Sequence, residues 1–240
     1  MSLLELDNVH KHASDGPRQR AVLREVCLEV QAGELVVVWG MRRSGRSTLL
    51  RVAAGIERPD AGTVRFDGRD LATHGKRLIG NEIGYCHKGL RFSDGHAALD
   101  HAMVGLLSRW VPTATARKRA RVALERVGAG HCAERRQSEL SSAEAIRVAL
   151  ARTLVLGPRL IVIDEPVNGV ELIDRDSILA LLRALADEGT AVLASTGEST
   201  GLSEADQALV LGGGELRGAP GPELAPVLTL KRDSAQRMSG

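Results

Sequence analysis

Residues 35–50, with the sequence LVVVWGMRRSGRSTLL, combine residue types and a spacing that can hold a phosphate group. The apolar run that ends at Trp39 predicts a buried strand, and the residues after Gly45 favour a helix. In such a loop, backbone N–H groups and the start of a helix surround the anion, and a hydroxyl group binds Mg²⁺. The candidate phosphate-binding residues are Gly40, Arg42, Arg43, Ser44, Gly45, Arg46, Ser47 and Thr48.

Arg46 stands where a loop of this spacing normally carries lysine. A guanidinium group keeps the positive charge, but it is wider and planar and cannot lie among the loop amides as an ammonium group does. The alternative interpretation of the stretch is an ordinary strand, turn and helix with basic residues on a solvated turn.

A second apolar run, LIVID at residues 160–164, ends in two adjacent carboxylates, Asp164 and Glu165, and Pro166 then stops the strand. In a chain with a phosphate-binding loop, this pair suits one carboxylate that holds Mg²⁺ and one that orients or deprotonates water. The alternative is a pair of solvated charges after a strand.

The composition limits the classes of protein that the chain can represent. Its 240 residues, 43% of them hydrophobic, suffice for one α/β domain with a smaller helical insert. The 32 basic and 30 acidic residues leave no strong basic field, so nucleic acid is not the predicted partner. Three scattered cysteines and seven histidines without metal-ligand spacing indicate a reducing cytosol and argue against structural zinc. No signal peptide or membrane span is evident, so we expect a soluble protein whose membrane role needs a partner.

Apolar periodicity predicts the remaining elements. Helix 115–127 is interpreted as a surface helix with an apolar stripe through Val122, Leu124 and Val127. The next helix, ending near residue 156, begins at Ser141 or Ser142 with Glu144 as its capping-box partner. Further strands are predicted at 3–9, 21–30, 63–66, 190–195 and 208–211, and residues 78–85 lead to another short strand. The remaining predicted segments are a helix at 174–187, a polar loop at 13–19 and a loose segment beyond 212.

This order of elements resembles the nucleotide-binding subunit of ATP-binding cassette (ABC) transporters over residues 3–217, with a layout closest to the macrolide-exporter and lipoprotein-release type. Besides the two motifs above, residues 58–71, 83–89 and 140–166 support the resemblance. It implies an α/β P-loop NTPase of the ABC-cassette type, with a mixed central sheet and an N-terminal antiparallel β-subdomain. The implied organisation is one ATP-binding domain over residues 1–217, a helical subdomain inserted at about 88–157, and a flexible tail at 218–240.

The resemblance also implies roles for individual residues. Ser47 and Asp164 would bind Mg²⁺, Glu165 would polarise the attacking water, and ATP would be the nucleotide. Ser141 and Ser142 lie in the family's signature segment, which reaches the γ-phosphate held by a second cassette.

Several positions depart from the family's pattern, and most of them are positions that serve the reaction. Arg43 and Arg46 replace a glycine and the lysine of the loop, Lys88 replaces a glutamine, and Gly197 replaces a histidine. Ala13 stands where the family has an aromatic residue that stacks on adenine, and His12 beside it is a weak substitute. In the signature segment, Ser142 and Ala143 replace two glycines and Glu144 replaces a glutamine. Glu171 stands where the family has an aspartate.

The predicted function is therefore a degenerate cassette that binds ATP with little or no hydrolysis. It would lie at the cytoplasmic face of the cell membrane, docked to transmembrane permease subunits and paired with a second cassette. One alternative is an active homodimeric transport ATPase in which Arg43, Arg46 and Lys88 supply the charge. A soluble cassette of the DNA-repair or translation-factor kind is disfavoured, because the chain lacks the coiled-coil insert, zinc ligands and basic surface of that class.

Overall fold

The computed structural model describes residues 2–15, 18–87, 95–198 and 202–218, which form two sheets and a set of helices. In chain order the elements are β1 (Leu4–Asp15), β2 (Arg18–Val30), β3 (Leu35–Trp39), α1 (Arg46–Ala53), β4 (Ala61–Phe66), β5 (Arg69–Asp70), α2 (Leu71–Leu78), β6 (Ile83–Cys86), α3 (Ala98–Leu107), α4 (Thr113–Arg126), α5 (Ser142–Leu154), β7 (Leu160–Asp164), α6 (Leu172–Asp187), β8 (Ala191–Thr196), β9 (Gln207–Gly212) and β10 (Glu215–Gly218).

The central sheet has the strand order β10-β9-β3-β8-β7-β6. All neighbouring strands are parallel except β10, which runs antiparallel to β9. The second sheet is antiparallel, in the order β2-β1-β4-β5. The predicted fold class, a mixed central sheet with an N-terminal antiparallel β-subdomain, is confirmed.

Each central strand separates two apolar cores. In β3, Leu35 and Val37 face the core that contains α3 to α6, whereas Val36 and Val38 face the core under α1 and the antiparallel sheet. Because successive side chains of a strand point to opposite faces, a strand covered on both faces must be apolar throughout. This explains why β3 and β7 appear in the sequence as continuous apolar runs.

Two predicted irregular segments prove to be strands. The polar loop predicted at 13–19 is wrong, because β1 and β2 stay paired through Ala13↔Arg20 and Asp15↔Arg18. The loose segment predicted beyond 212 is also wrong at its start, since β10 pairs with β9 through a turn at Gly213 and Gly214. Both glycines have positive φ, as a tight hairpin turn requires. The predicted flexible tail lies outside the described residues except for Gly218, the last residue of β10.

The predicted apolar stripe of helix α4 is confirmed at two of its three residues, and alanines complete the buried side. Leu124 and Val127 are buried as expected, but Val122 is 57% exposed. The buried side is completed instead by Ala116, Ala120 and Ala123. These alanines recur at helical spacing, and their small side chains allow α3 and α5 to approach closely. Across the described ranges, the structure contains no helix whose length and apolarity would suit a membrane crossing.

The predicted capping box at the start of α5 is confirmed, with Ser141 as the N-cap residue. Ser141 Oγ accepts a hydrogen bond from Glu144 N (3.1 Å), and Glu144 Oε2 accepts one from Ser141 N (2.8 Å). Glu144 Oε1 also contacts His131 Nε2 at 2.9 Å and Arg135 Nη1 at 3.1 Å. The hydrogen bond from the Ser141 backbone, with smaller contributions from His131 and Arg135, lowers the pKa of Glu144 to about 2.

We expect Glu144→Gln to lower the free energy of unfolding by about 1 kcal/mol at pH 7, the usual scale of a capping interaction. A carboxylate whose pKa falls on folding stabilises the native state above its unfolded pKa, so this difference should shrink as the pH falls from about 4.5 towards about 2. Urea denaturation of both proteins at several pH values measures it. The exposed Glu125→Gln is the control, with a change under about 0.5 kcal/mol. A difference that stays constant down to pH 3 would contradict the assignment.

Candidate functional site

The loop between β3 and α1 is shaped by its two glycines. A β-carbon at Gly40 would lie 2.6 Å from Ser44 Oγ and 2.7 Å from Leu211 O. Gly45, the N-cap residue of α1, has φ +104°, and a β-carbon there would lie 2.9 Å from Val22 O. Such contacts and such a backbone conformation exclude other residues. The loop can therefore fold back over the start of α1 only with glycine at both positions.

A cavity of about 1000 Å³ opens over this loop and collects most of the predicted phosphate-site residues. Its lining includes Arg42, Arg43, Ser44, Gly45, Arg46, Ser47, Thr48, Glu165 and Gly197. These residues lie close together because parallel strands bring their carboxyl ends to one edge of the sheet. Trp39 pairs with Thr196, and Asp164 pairs with Ser195. The loops that follow β3, β7 and β8 therefore leave the sheet side by side.

Arg46 takes a position that the sequence did not reveal. Its guanidinium is buried, with the residue only 5% exposed, and Nη2 donates to Glu165 Oε1 at 2.8 Å. It also covers Gly197, where a β-carbon would lie 3.2 Å from Nη2 and 3.3 Å from Nη1. Arg46 thus joins the phosphate loop to the ends of β7 and β8.

Two buried polar atoms at the loop have no hydrogen-bond partner among the described residues: Ser44 Oγ and Arg46 Nη1. An unpaired buried donor is costly, so such atoms mark a place where a ligand completes the hydrogen bonding. Both can donate to an oxyanion. The arrangement suits phosphate oxygens.

Ser195 is a site residue that sequence reasoning missed. It is fully buried at the end of β8, where its Oγ donates to Asp164 Oδ1 at 2.6 Å and accepts from Glu165 N at 3.0 Å. Glu165 itself has φ +49°, an unusual conformation for a residue other than glycine. Ser195 therefore fixes both carboxylate residues, and the only sequence signal was a hydroxyl at the end of an apolar strand.

Asp164 and Ser47 are the predicted metal ligands. Both offer hard oxygen atoms of the kind that Mg²⁺ prefers, and the Ser195 hydroxyl holds one oxygen of the buried Asp164 carboxylate in place. Ser47 lines the cavity over the phosphate loop, whereas Asp164 lines a neighbouring cavity. A magnesium ion shared by these two residues stays a prediction.

The other predicted residues lie apart from this cavity. Ser141 and Ser142 line a separate cavity of about 220 Å³, which also contacts Asp164 and Glu165. Ala13 is exposed, and His12 Nδ1 lies 3.1 Å from Asp60 Oδ2. Lys88 lies outside the described residues.

We expect Ser195→Ala to lower the free energy of unfolding by about 1–3 kcal/mol, because it leaves a buried carboxylate oxygen without its donor. Urea denaturation at neutral pH measures the change. Ser108→Ala is the matched control, since Ser108 Oγ donates to Gly105 O at an exposed helix end, and it should change stability by less than about 0.5 kcal/mol. Equal losses in the two variants would show that the Ser195 hydroxyl has no special role.

Comparison with known proteins identifies the family of the chain. Residues 23–168 match the family model described as ABC transporter. The chain is 34% identical over 205 residues to the lipoprotein-releasing system ATP-binding protein LolD of Chromohalobacter salexigens, a match that covers 84% of this chain and 86% of the relative. It is 33% identical over 220 residues to the protein of the same name from Pseudomonas syringae pv. tomato, and this match covers 90% of this chain and 97% of the relative.

Solved structures share the fold. The dimeric structure of MJ0796, a bacterial ABC transporter cassette, matches with a TM-score of 0.81 at 24% identity, over 91% of this chain and 99% of that one. The same cassette in a post-hydrolysis state bound to ADP and Pi matches with a TM-score of 0.82 at 24% identity, with the same coverage. From the matched family model, the relatives and the phosphate-loop geometry together, the chain belongs to the ATP-binding subunits of the ABC transporter family.

Proposed function

We propose that this chain is an ABC transporter subunit that binds ATP but splits it poorly or not at all. The observation that carries the proposal is the buried ion pair between Arg46 and Glu165, with its guanidinium over Gly197. The chain would act as the less active half of an asymmetric cassette pair, or as a regulatory subunit.

The features that bind phosphate support the first half of the proposal. Both loop glycines are present, and Arg42 and Arg43 are exposed at the cavity. The buried donors Ser44 Oγ and Arg46 Nη1 have no acceptor among the described residues. Ser47 and Asp164 would hold Mg²⁺, which neutralises charge on the phosphate oxygens. A cassette of this fold is described with ADP and Pi bound. These residues favour a bound nucleotide.

The groups that act on the γ-phosphate support the second half. One Glu165 oxygen accepts from Arg46, so the guanidinium already occupies one of the acceptor sites of the carboxylate that was predicted to orient a water molecule. Gly197 stands where the resemblance places a histidine, so no imidazole group is supplied there. Lys88 stands where the resemblance places a glutamine, so no side-chain amide is supplied there. Preorganised groups around the transferred phosphoryl supply most of the rate in such reactions. Losing several of them together therefore affects hydrolysis more than binding.

The proposed partners are a membrane permease and a second cassette. The named relatives belong to a lipoprotein-releasing system, and a similar cassette was solved as a dimer. Leu172 and Ile173 follow Glu171, which the resemblance places in a dimer-contacting loop, and they are 76% and 86% exposed. Two adjacent apolar side chains at such a position suit a contact with another subunit. By the same reasoning, we place the chain at the cytoplasmic face of the membrane.

ATP binding and phosphate release by the purified chain test the proposal. We expect measurable ATP binding, turnover well below about 1 per second, and no change in turnover on Glu165→Gln. Turnover at or above about 1 per second that Glu165→Gln abolishes would overturn it in favour of an active homodimer. Failure to bind ATP at millimolar concentration would leave only a structural role.

A further inference from the structure

The Arg46–Glu165 pair is better buried than an ordinary surface ion pair. The two side chains are only 6% and 13% exposed, and their 2.8 Å separation is that of a charge-assisted hydrogen bond. Burial removes both charges from water, so the attraction between them offsets part of the cost of that desolvation. By contrast, the Arg121–Glu134 pair on the surface, at 2.7 Å, has side chains that are 47% and 68% exposed.

Gly197 provides the space that the guanidinium occupies. Its φ is not in the left-handed region, so the backbone does not require glycine here. A β-carbon would nevertheless lie 3.2–3.3 Å from both terminal nitrogens of Arg46, which is tighter than ordinary packing. The absent side chain at 197 and the wide side chain at 46 therefore fit each other.

Arg46 still has an unused donor. Nη2 is bound to Glu165, whereas the buried Nη1 has no partner among the residues that the structure describes. Arg46 also lines the cavity over the phosphate loop. An incoming phosphate oxygen would meet a cation that is already engaged by a carboxylate.

We propose that Glu165 serves as an internal counter-ion that competes with the nucleotide's phosphates for Arg46, so that the ion pair sets nucleotide affinity. This rests on the proposed function, because it assumes that the loop binds a nucleoside di- or triphosphate. In this role Glu165 is a positioning residue for Arg46. Gly197 contributes to the same interaction, since it leaves space for the Arg46 guanidinium to reach Glu165.

Competition differs from simple repulsion between Glu165 and the phosphates. Repulsion acts whether or not an arginine stands at position 46, whereas competition requires the arginine. A double-mutant cycle separates the two, because only competition makes the effects of the two substitutions depend on each other.

The experiment measures the Kd for ADP of the full chain by calorimetry, with wild type, Glu165→Gln, Arg46→Ala and the double variant. ADP is used because its binding requires no hydrolysis. We expect Glu165→Gln to tighten ADP binding by about tenfold when Arg46 is present and by less than about threefold when it is replaced by alanine. Glu134→Gln, which removes the surface pair with Arg121, is the control and should leave the Kd unchanged.

Equal tightening in both backgrounds would overturn the competition while leaving nucleotide binding intact. Absence of ADP binding in every variant would overturn the proposed function and this inference with it. A measurement without nucleotide tests the role of Gly197 separately: Gly197→Ala should lower the melting temperature by about 2–4 °C with Arg46 present and not with Arg46→Ala. The same loss in both backgrounds would show that the two residues are not coupled.

Discussion

Parallel pairing of β3, β8 and β7 is the constraint on which the site depends. It brings the phosphate loop, the Asp164–Glu165 pair and Gly197 to one edge of the central sheet, although they are far apart in the chain. The sheet can keep this geometry because apolar cores cover both of its faces. Ser195 completes the arrangement, since one buried hydroxyl bonds to Asp164 and to the backbone of Glu165.

We propose that one side chain on this scaffold, Arg46, favours nucleotide binding over hydrolysis. An ammonium group at position 46 would present a compact charge to a phosphate, whereas the Arg46 guanidinium extends to Glu165 and over Gly197. Arg46, Glu165 and Gly197, which look independent in the sequence, therefore lie against one another in the structure. The cation of the phosphate loop and the carboxylate after β7 are partners of each other.

Local patterns made much of the fold predictable from the sequence. The glycine spacing fixes the phosphate loop, the apolar runs identify the buried strands, and Ser141 with Glu144 identifies the start of α5, because each of these signals lies within a few residues. The hairpin extension through Ala13 and the short strand β10 were missed, since their pairing depends on backbone partners rather than on apolar residues. Val122 was misplaced because alanines form the buried side of α4.

The site was predictable in composition but not in its contacts. Arg46 and Glu165 are 119 residues apart, and nothing in either local pattern indicates that they form an ion pair. Ser195 gave almost no signal, because a hydroxyl at a strand end is common. Contacts of this kind follow from strand order and register, which a single sequence does not specify.

We propose above all that this chain retains a triphosphate and splits it poorly or not at all. The most direct measurement is to incubate the purified protein with radiolabelled ATP and Mg²⁺, remove free nucleotide, and identify the nucleotide that stays bound. We expect intact ATP to be recovered after prolonged incubation. Recovery of ADP, with matching release of labelled phosphate over repeated turnovers, would contradict it.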